Sequence, residues 1–189
     1  MSGRLFVISG PSGVGKGTLI QLAREAVPDL DLATSATTRP IRPGEQDGRE
    51  YHFLSPAEFD RLVGEGAFLE HVDFAGNRYG TLRSEVERRL ASGRSVVLEI
   101  DVPGAREIHR QRADAVLVFI APPDVDELER RLEGRGANSA HEIADRLAIA
   151  RGEMSAAQEF STIIVNDQRD SAARRLIELI RATLDEEPA

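Results

Sequence analysis

The sequence predicts an α/β fold: a doubly wound, mainly five-stranded parallel sheet with a small mixed α+β insertion. Three observations carry this. Five short apolar runs, at about 5–8, 32–37, 96–100, 115–120 and 162–165, read as buried parallel strands. Amphipathic stretches at helical spacing separate most of them, and strands alternating with helices imply a sheet covered on both faces. Between the first strand and the first helix lies Gly10-Pro11-Ser12-Gly13-Val14-Gly15-Lys16-Gly17-Thr18. Strand, glycine-rich turn, lysine and helix in that order make the phosphate-binding loop of a P-loop NTPase-type fold.

The elements follow in chain order. Leu5-Phe6-Val7-Ile8 forms the first strand, and Leu19, Leu22, Ala23, Ala26 and Val27 mark one face of the first helix. The segment at about 38–79 breaks the pattern. Its prolines and glycines (Pro40, Pro43, Gly44, Gly48, Gly64, Gly66, Gly76), with short alternating pieces between them, predict a mostly antiparallel insertion with one short helix near 56–63. Leu82, Val86 and Leu90 recur at helical spacing before Gly93, a stop signal. Val125, Leu128 and Leu132 make a further stripe, followed by an irregular patch at about 133–140 with the composition of a mobile lid. Ile143, Leu147, Ala150, Met154 and Ala157 form the next helix, and Ala173, Leu176, Ile177, Ile180 and Leu184 the last, which frays into Asp185-Glu186-Glu187. The expected organisation is one domain, 1–189: a core of about 1–37, 80–132 and 141–189, the insertion, and the lid.

A chain of 189 residues supports one substantial core. Its net charge of −8 argues against nucleic acid or an anionic membrane as partner, while leaving room for anionic small ligands at local arginine clusters. The absence of cysteine excludes disulfides and thiolate chemistry. No basic segment followed by a long apolar stretch opens the chain, so a cytoplasmic protein is expected. Monomer and homo-oligomer remain equally open.

The motifs carry the chemistry. Glycines let successive backbone N–H groups converge on one anion, and the following helix adds its open N-terminus. Lys16 supplies a point charge to the outer phosphates. A hydroxyl beyond the lysine can face a magnesium ion or its waters; with Gly17 in the position after the lysine, Thr18 is the nearest candidate. Arg39 and Arg42 bracket Pro40, which stiffens the backbone and suits bidentate grip on a phosphate; a solvated surface pair is the plainer alternative. Arg130, Arg131, Arg135 and Arg146 form a second basic set, with charge to offer a transferring phosphoryl group, although Glu127, Glu129 and Glu133 offer surface partners. Glu99 and Asp101 fall at the end of a strand, facing the ligand crevice or capping the next helix. Ser35, Glu70, Tyr79 and Thr81 are individually weak signals. The four histidines have no metal-ligand spacing.

Taken together, Ser9-Gly-Pro-Ser-Gly-Val-Gly-Lys16, Ser35-Ala-Thr-Thr-Arg39-Pro, Arg42-Pro-Gly-Glu45, Phe68-Leu-Glu70-His, Tyr79-Gly80-Thr81, Ile100-Asp101, Arg131-Leu-Glu-Gly-Arg135 and Val165-Asn166-Asp167 resemble the guanylate kinase family over about 5–184. The resemblance implies transfer of the γ-phosphoryl of ATP to GMP, with Mg2+ and without nucleic-acid or membrane partners. It implies a GMP phosphate grip at Arg39, Arg42, Tyr51 and Tyr79, and guanine readers at Ser35, Glu70 and Thr81, with Gly80 and Asp101 on the same side. It also implies an ATP site on residues 10–18, Arg131, Arg135 and Asn166, with Arg146 acting from the lid side. Against the family pattern, Gly17 replaces Ser or Thr, Glu99 replaces Asp and Pro103 replaces Gln. Two rivals stand beside it: a non-catalytic guanylate-kinase-like phosphopeptide-binding module, a type that tends to lose the phosphate loop and lid arginines kept here at Lys16, Arg131, Arg135 and Arg146, and a related P-loop kinase acting on a ribose bisphosphate.

Overall fold

The computed structural model describes residues 3–74, 76–133 and 140–186, with the backbone only for 140–145. Five strands form the main sheet: β1 (Leu5–Ser9), β2 (Leu30–Leu32), β7 (Ser95–Glu99), β8 (Val116–Ala121) and β9 (Thr162–Val165), in the order β2-β7-β1-β8-β9. Every pairing in it is parallel. Successive side chains of a strand point to opposite faces, so each apolar run feeds two cores. Phe6, Ile8, Val97, Val118 and Ile120 pack with α1 (Lys16–Ala26), α5 (Val125–Glu133), α6 (Ala140–Ser155) and α7 (Arg169–Asp185). Leu5, Val7, Val96, Leu98 and Phe119 face the other way, onto α3 (Arg83–Ala91) and α4 (Val102–Gln111).

A second sheet of four strands lies in the insertion, in the order β4-β3-β6-β5. Its members are β3 (Ala36–Thr37), β4 (His52–Phe53), β5 (Phe68–Phe74) and β6 (Asn77–Leu82), with α2 (Pro56–Gly64) against them. The β5–β6 and β3–β6 pairs are antiparallel, and β3–β4 is parallel. Pro56 at the first helical turn and a reciprocal Ser55–Glu58 capping box start α2. Its core is the stacked pair Phe59 and Phe68, with ring centroids 4.5 Å apart, beside Ala36.

One sequence expectation needs correction. The run at 32–37 is not one strand: β2 ends at Leu32, and Ala36–Thr37 belongs to the second sheet. The Ala33 amide still donates to the Val97 carbonyl of the main sheet, whereas the Ser35 carbonyl accepts from His52 of the second. The chain changes sheets between those residues. Helix α4 is the next helix that Asp101 is placed to cap: Asp101 accepts from the Gly104 amide at 2.8 Å, and Pro103 lies in the first turn, where its missing N–H costs nothing. The lid expected at about 133–140, with Arg135, falls almost wholly outside the described residues.

Candidate active site

The loop between β1 and α1 is shaped by glycines in left-handed backbone. Gly10 (φ +140°) lies so close to β8 that a Cβ would stand 2.2 Å from the Ile120 carbonyl oxygen. Gly15 (φ +97°) caps α1, and no side chain closes that helix end. The first amides of α1 therefore stay available to an anion. Lys16 curls back along the loop, and its Nζ donates to the carbonyls of Gly10 (2.5 Å) and Pro11 (3.2 Å). The loop is held from behind. Asn166 Nδ2 donates to the Val14 carbonyl at 2.7 Å, and Arg131 donates to the Asn166 and Val14 carbonyls while pairing with Glu127. Arg146, on α6, donates to Ser12 Oγ at 2.9 Å. Pro11 and Val14 are buried, Gly13 half-buried, and Gly17 and Thr18 lie on the exposed side of α1.

A cleft of about 820 Å³ runs from this loop to the second sheet. Gly10, Ser12 and Lys16 line one end; Ser35, Tyr51, Glu70, Tyr79 and Gly80 line the other; Glu99 and Asp101, at the end of β7, lie between. Arg146 and Glu153 close it from α6. Glu70 is only 5 % exposed. Burial pushes its carboxyl up to about 7, against the hydrogen bond that Thr81 Oγ1 donates to Oε1 at 2.6 Å, with Asp101 adding like charge. Glu70 and Asp101 flank Gly104, where an added Cβ would lie 3.1 Å from one carboxylate and 3.0 Å from the other. Burial also raises the Tyr51 hydroxyl, whose ring meets that of Tyr79 edge-on at 6.0 Å.

Arg39 stands at the rim with its guanidinium over Tyr51 and Phe53, 5.3 and 5.6 Å from the ring centres. Its Nη1 donates to the Pro40 carbonyl and to Glu45 Oε2, and its Nη2 to Glu45 Oε1. Three of the five guanidinium donors are thereby used, and those left lie on the Nε–Nη2 edge, the fork that fits two phosphate oxygens. Arg42 is exposed, and its amide donates to Glu45.

The structure thus brings Ser35, Tyr51, Glu70, Tyr79, Gly80 and Asp101 to the same cleft as Lys16 and Arg146. Thr81 stands behind Glu70; Arg131 and Asn166 stand behind the loop rather than in the cleft. Asp101 takes up both sequence readings, capping α4 and lining the cleft.

The family model for guanylate kinase matches residues 2–183. The chain belongs to the guanylate kinase family. The guanylate kinase of Rubrobacter xylanophilus is 50 % identical over 179 residues, covering 95 % of this chain and 94 % of that protein. That of Thermobifida fusca is 52 % identical over 179 residues, covering 95 % and 91 %. The crystal structure of guanylate kinase from Anaplasma phagocytophilum superposes with a TM-score of 0.77 at 31 % identity, over 98 % of this chain and 88 % of that one. Shikimate kinase from Bacteroides thetaiotaomicron, 18 % identical with a TM-score of 0.52 over 94 % of this chain and 98 % of that one, shares the fold.

Two residues received no role from the sequence. Glu45, which orients Arg39, reads as an ordinary acid after a Pro-Gly turn. Glu153 lies beside the buried Ala150 stripe of α6 and differs from its exposed neighbours only in position. Burial raises its carboxyl, with Lys16 opposing the rise and Asp101 adding to it.

Proposed function

We propose that the chain is an ATP:GMP phosphotransferase, taking the γ-phosphoryl of ATP to GMP and releasing ADP and GDP in cytoplasmic purine nucleotide metabolism. The observation that carries this reading is one cleft with a phosphate loop at one end and the Glu70–Thr81 carboxylate at the other. Guanine presents N1–H and N2–H side by side, and one carboxylate accepts both, even with Thr81 on Oε1. Adenine presents an acceptor at N1, which would leave two buried acceptors facing each other. Discrimination on such a site reaches about 10⁴-fold or more.

In this reading Arg39, Arg42, Tyr51 and Tyr79 grip the GMP phosphate, and Ser35, Gly80 and Asp101 complete the acceptor side. Residues 10–18 cradle the ATP phosphates, with Arg131 and Asn166 fixing the loop and Arg135 and Arg146 adding charge from the lid side. A GMP phosphate oxygen is already a competent nucleophile, so positioning and charge neutralisation carry the reaction, with no covalent enzyme intermediate. The donor set also fits a magnesium ion. Among the described residues no group of three acids or histidines holds a metal by itself, so the cation would arrive on nucleotide phosphates. Glu99 and Asp101 supply hard oxygens between the two ends of the cleft, and bound magnesium would neutralise charge on the transferring group. The insertion, about 38–79, closes over GMP.

A coupled assay of ADP release with ATP and a panel of GMP, AMP, CMP, UMP and ribose 1,5-bisphosphate tests this. GMP should be preferred by several orders of magnitude. Equal rates with AMP, or no GMP-dependent release, would refute it.

A further inference from the structure

Each wall of the cleft carries one exposed, large apolar side chain. On β5, Glu70, Val72 and Phe74 alternate with the residues between them, so they share one face, and all three line the cleft. On α6 and just past its end, Arg146, Ile149, Glu153 and Ala156 recur at steps of three and four. They share one face as well, and line the cleft from the other side. Leu147 and Ala150 turn into the main core, which leaves Ile149 outside it. Phe74 is 58 % exposed and Ile149 54 %. Large apolar side chains scattered singly over a surface need no account, and Ile41 and Ile163 are of that kind. Phe74 and Ile149 differ, because they line one cleft from opposite walls.

Strand β5 is anchored near its start. Leu69 is buried with Val102, Ala105 and Ile108 beside α4, and Gln111 Nε2 donates to its carbonyl at 2.9 Å. Phe74 ends the strand, roughly 17 Å beyond that anchor. A small turn about Leu69 therefore gives Phe74 the largest travel in β5. Phe74 also lies roughly 13 Å past Glu70 along the strand, out of reach of a base held at that carboxylate.

We propose that Phe74 and Ile149 form an apolar latch, meeting across the mouth of the cleft when bound nucleotides draw its walls together. This rests on the reading above in which the insertion closes over GMP. The two side chains shed water as they meet, which stabilises the closed form. A nucleotide that favours that form gains the contact although neither residue touches it. The same contact keeps solvent from the transferring phosphoryl group.

The chain has no cysteine, so Phe74→Cys together with Ile149→Cys introduces a single pair of thiols. The full chain carrying both is treated with a mild oxidant, alone and with GMP plus ADP, and resolved on a non-reducing gel. A disulfide needs Cα atoms within about 7 Å, so the intramolecular cross-link should form several-fold faster with the nucleotides. Equal rates with and without them, no intramolecular cross-link, or cross-linked dimers in its place overturn the latch. A second measurement is calorimetry of GMP binding to the ADP-loaded chain. Phe74→Ala and Ile149→Ala should each weaken it about fivefold. The double variant should lose no more than either single one, because one contact is removed in all three. Melting of the nucleotide-free chain should stay unchanged, since both side chains are exposed there. Additive losses, or no loss, overturn the latch while leaving the kinase reading intact. A wild type that binds neither GMP nor ADP would sink both.

Discussion

Glu70 shows how one buried carboxyl links stability to recognition. With a folded pKa near 7 against an ordinary 4.5, the folded protein holds its proton more tightly than the unfolded chain does. The folded state therefore binds more protons between about pH 4.5 and 7. Its contribution to stability is fully present below that window and declines as pH rises through it. Thermal unfolding from pH 5 to pH 8 should show wild type losing ground to Glu70→Gln as pH rises toward 7 and a constant gap beyond it, by on the order of a few kcal/mol in all. Parallel curves for the two proteins would contradict this. Guanine would reverse the balance, because its paired donors favour the ionised form. Lys16 was legible in the sequence from local motif and context alone. Glu70 and Thr81 were not, because their pairing depends on a β5–β6 register that spacing does not reveal. Glu45 and Glu153 act only through what surrounds them, so no local pattern distinguishes them from surface acids.

At the level of elements, legibility followed periodicity. The parallel strands and the long helices announce themselves because one repeat runs unbroken. The split between β2 and β3 does not, because it turns on a single tertiary event, a change of sheet between Ala33 and Ser35. The insertion has a small core of its own in Phe59 and Phe68, with Arg78 stacked 4.4 Å over the Phe59 ring. Phe59 is fully buried there. Phe59→Ala should cost about 3–5 kcal/mol within the insertion. Hydrogen exchange should show β3–β6 losing protection while β1, β7 and β8 keep theirs, and GMP affinity should fall more than ADP affinity. Uniform loss of protection across both sheets would show that the two do not open separately.

For the molecule as a whole, the second sheet joins the main one through two short crossings, at 33–35 and where β6 runs into α3, with the cleft between them. Beyond those crossings, Leu69 of β5 is buried with Val102, Ala105 and Ile108 beside α4, and Gln111 donates to its carbonyl, so any swing of the insertion pivots about this contact. The chain has no cysteine, so a pair introduced at the exposed Asp73 and Arg151 can carry fluorophores cleanly. Energy transfer between them should rise with GMP and rise further with GMP and ADP together; no change would argue against closure. One further consequence lies in the uncapped start of α1. A helix that begins at Gly15 without a side-chain acceptor leaves its first amides to an outside anion, in the proposed reading a nucleotide phosphate. A nucleotide at 100 times its dissociation constant adds about 2.7 kcal/mol to the folded state. On the proposed reading the nucleotide pool would act as a folding partner, and nucleotide depletion would leave a softer, more readily degraded copy of the same protein.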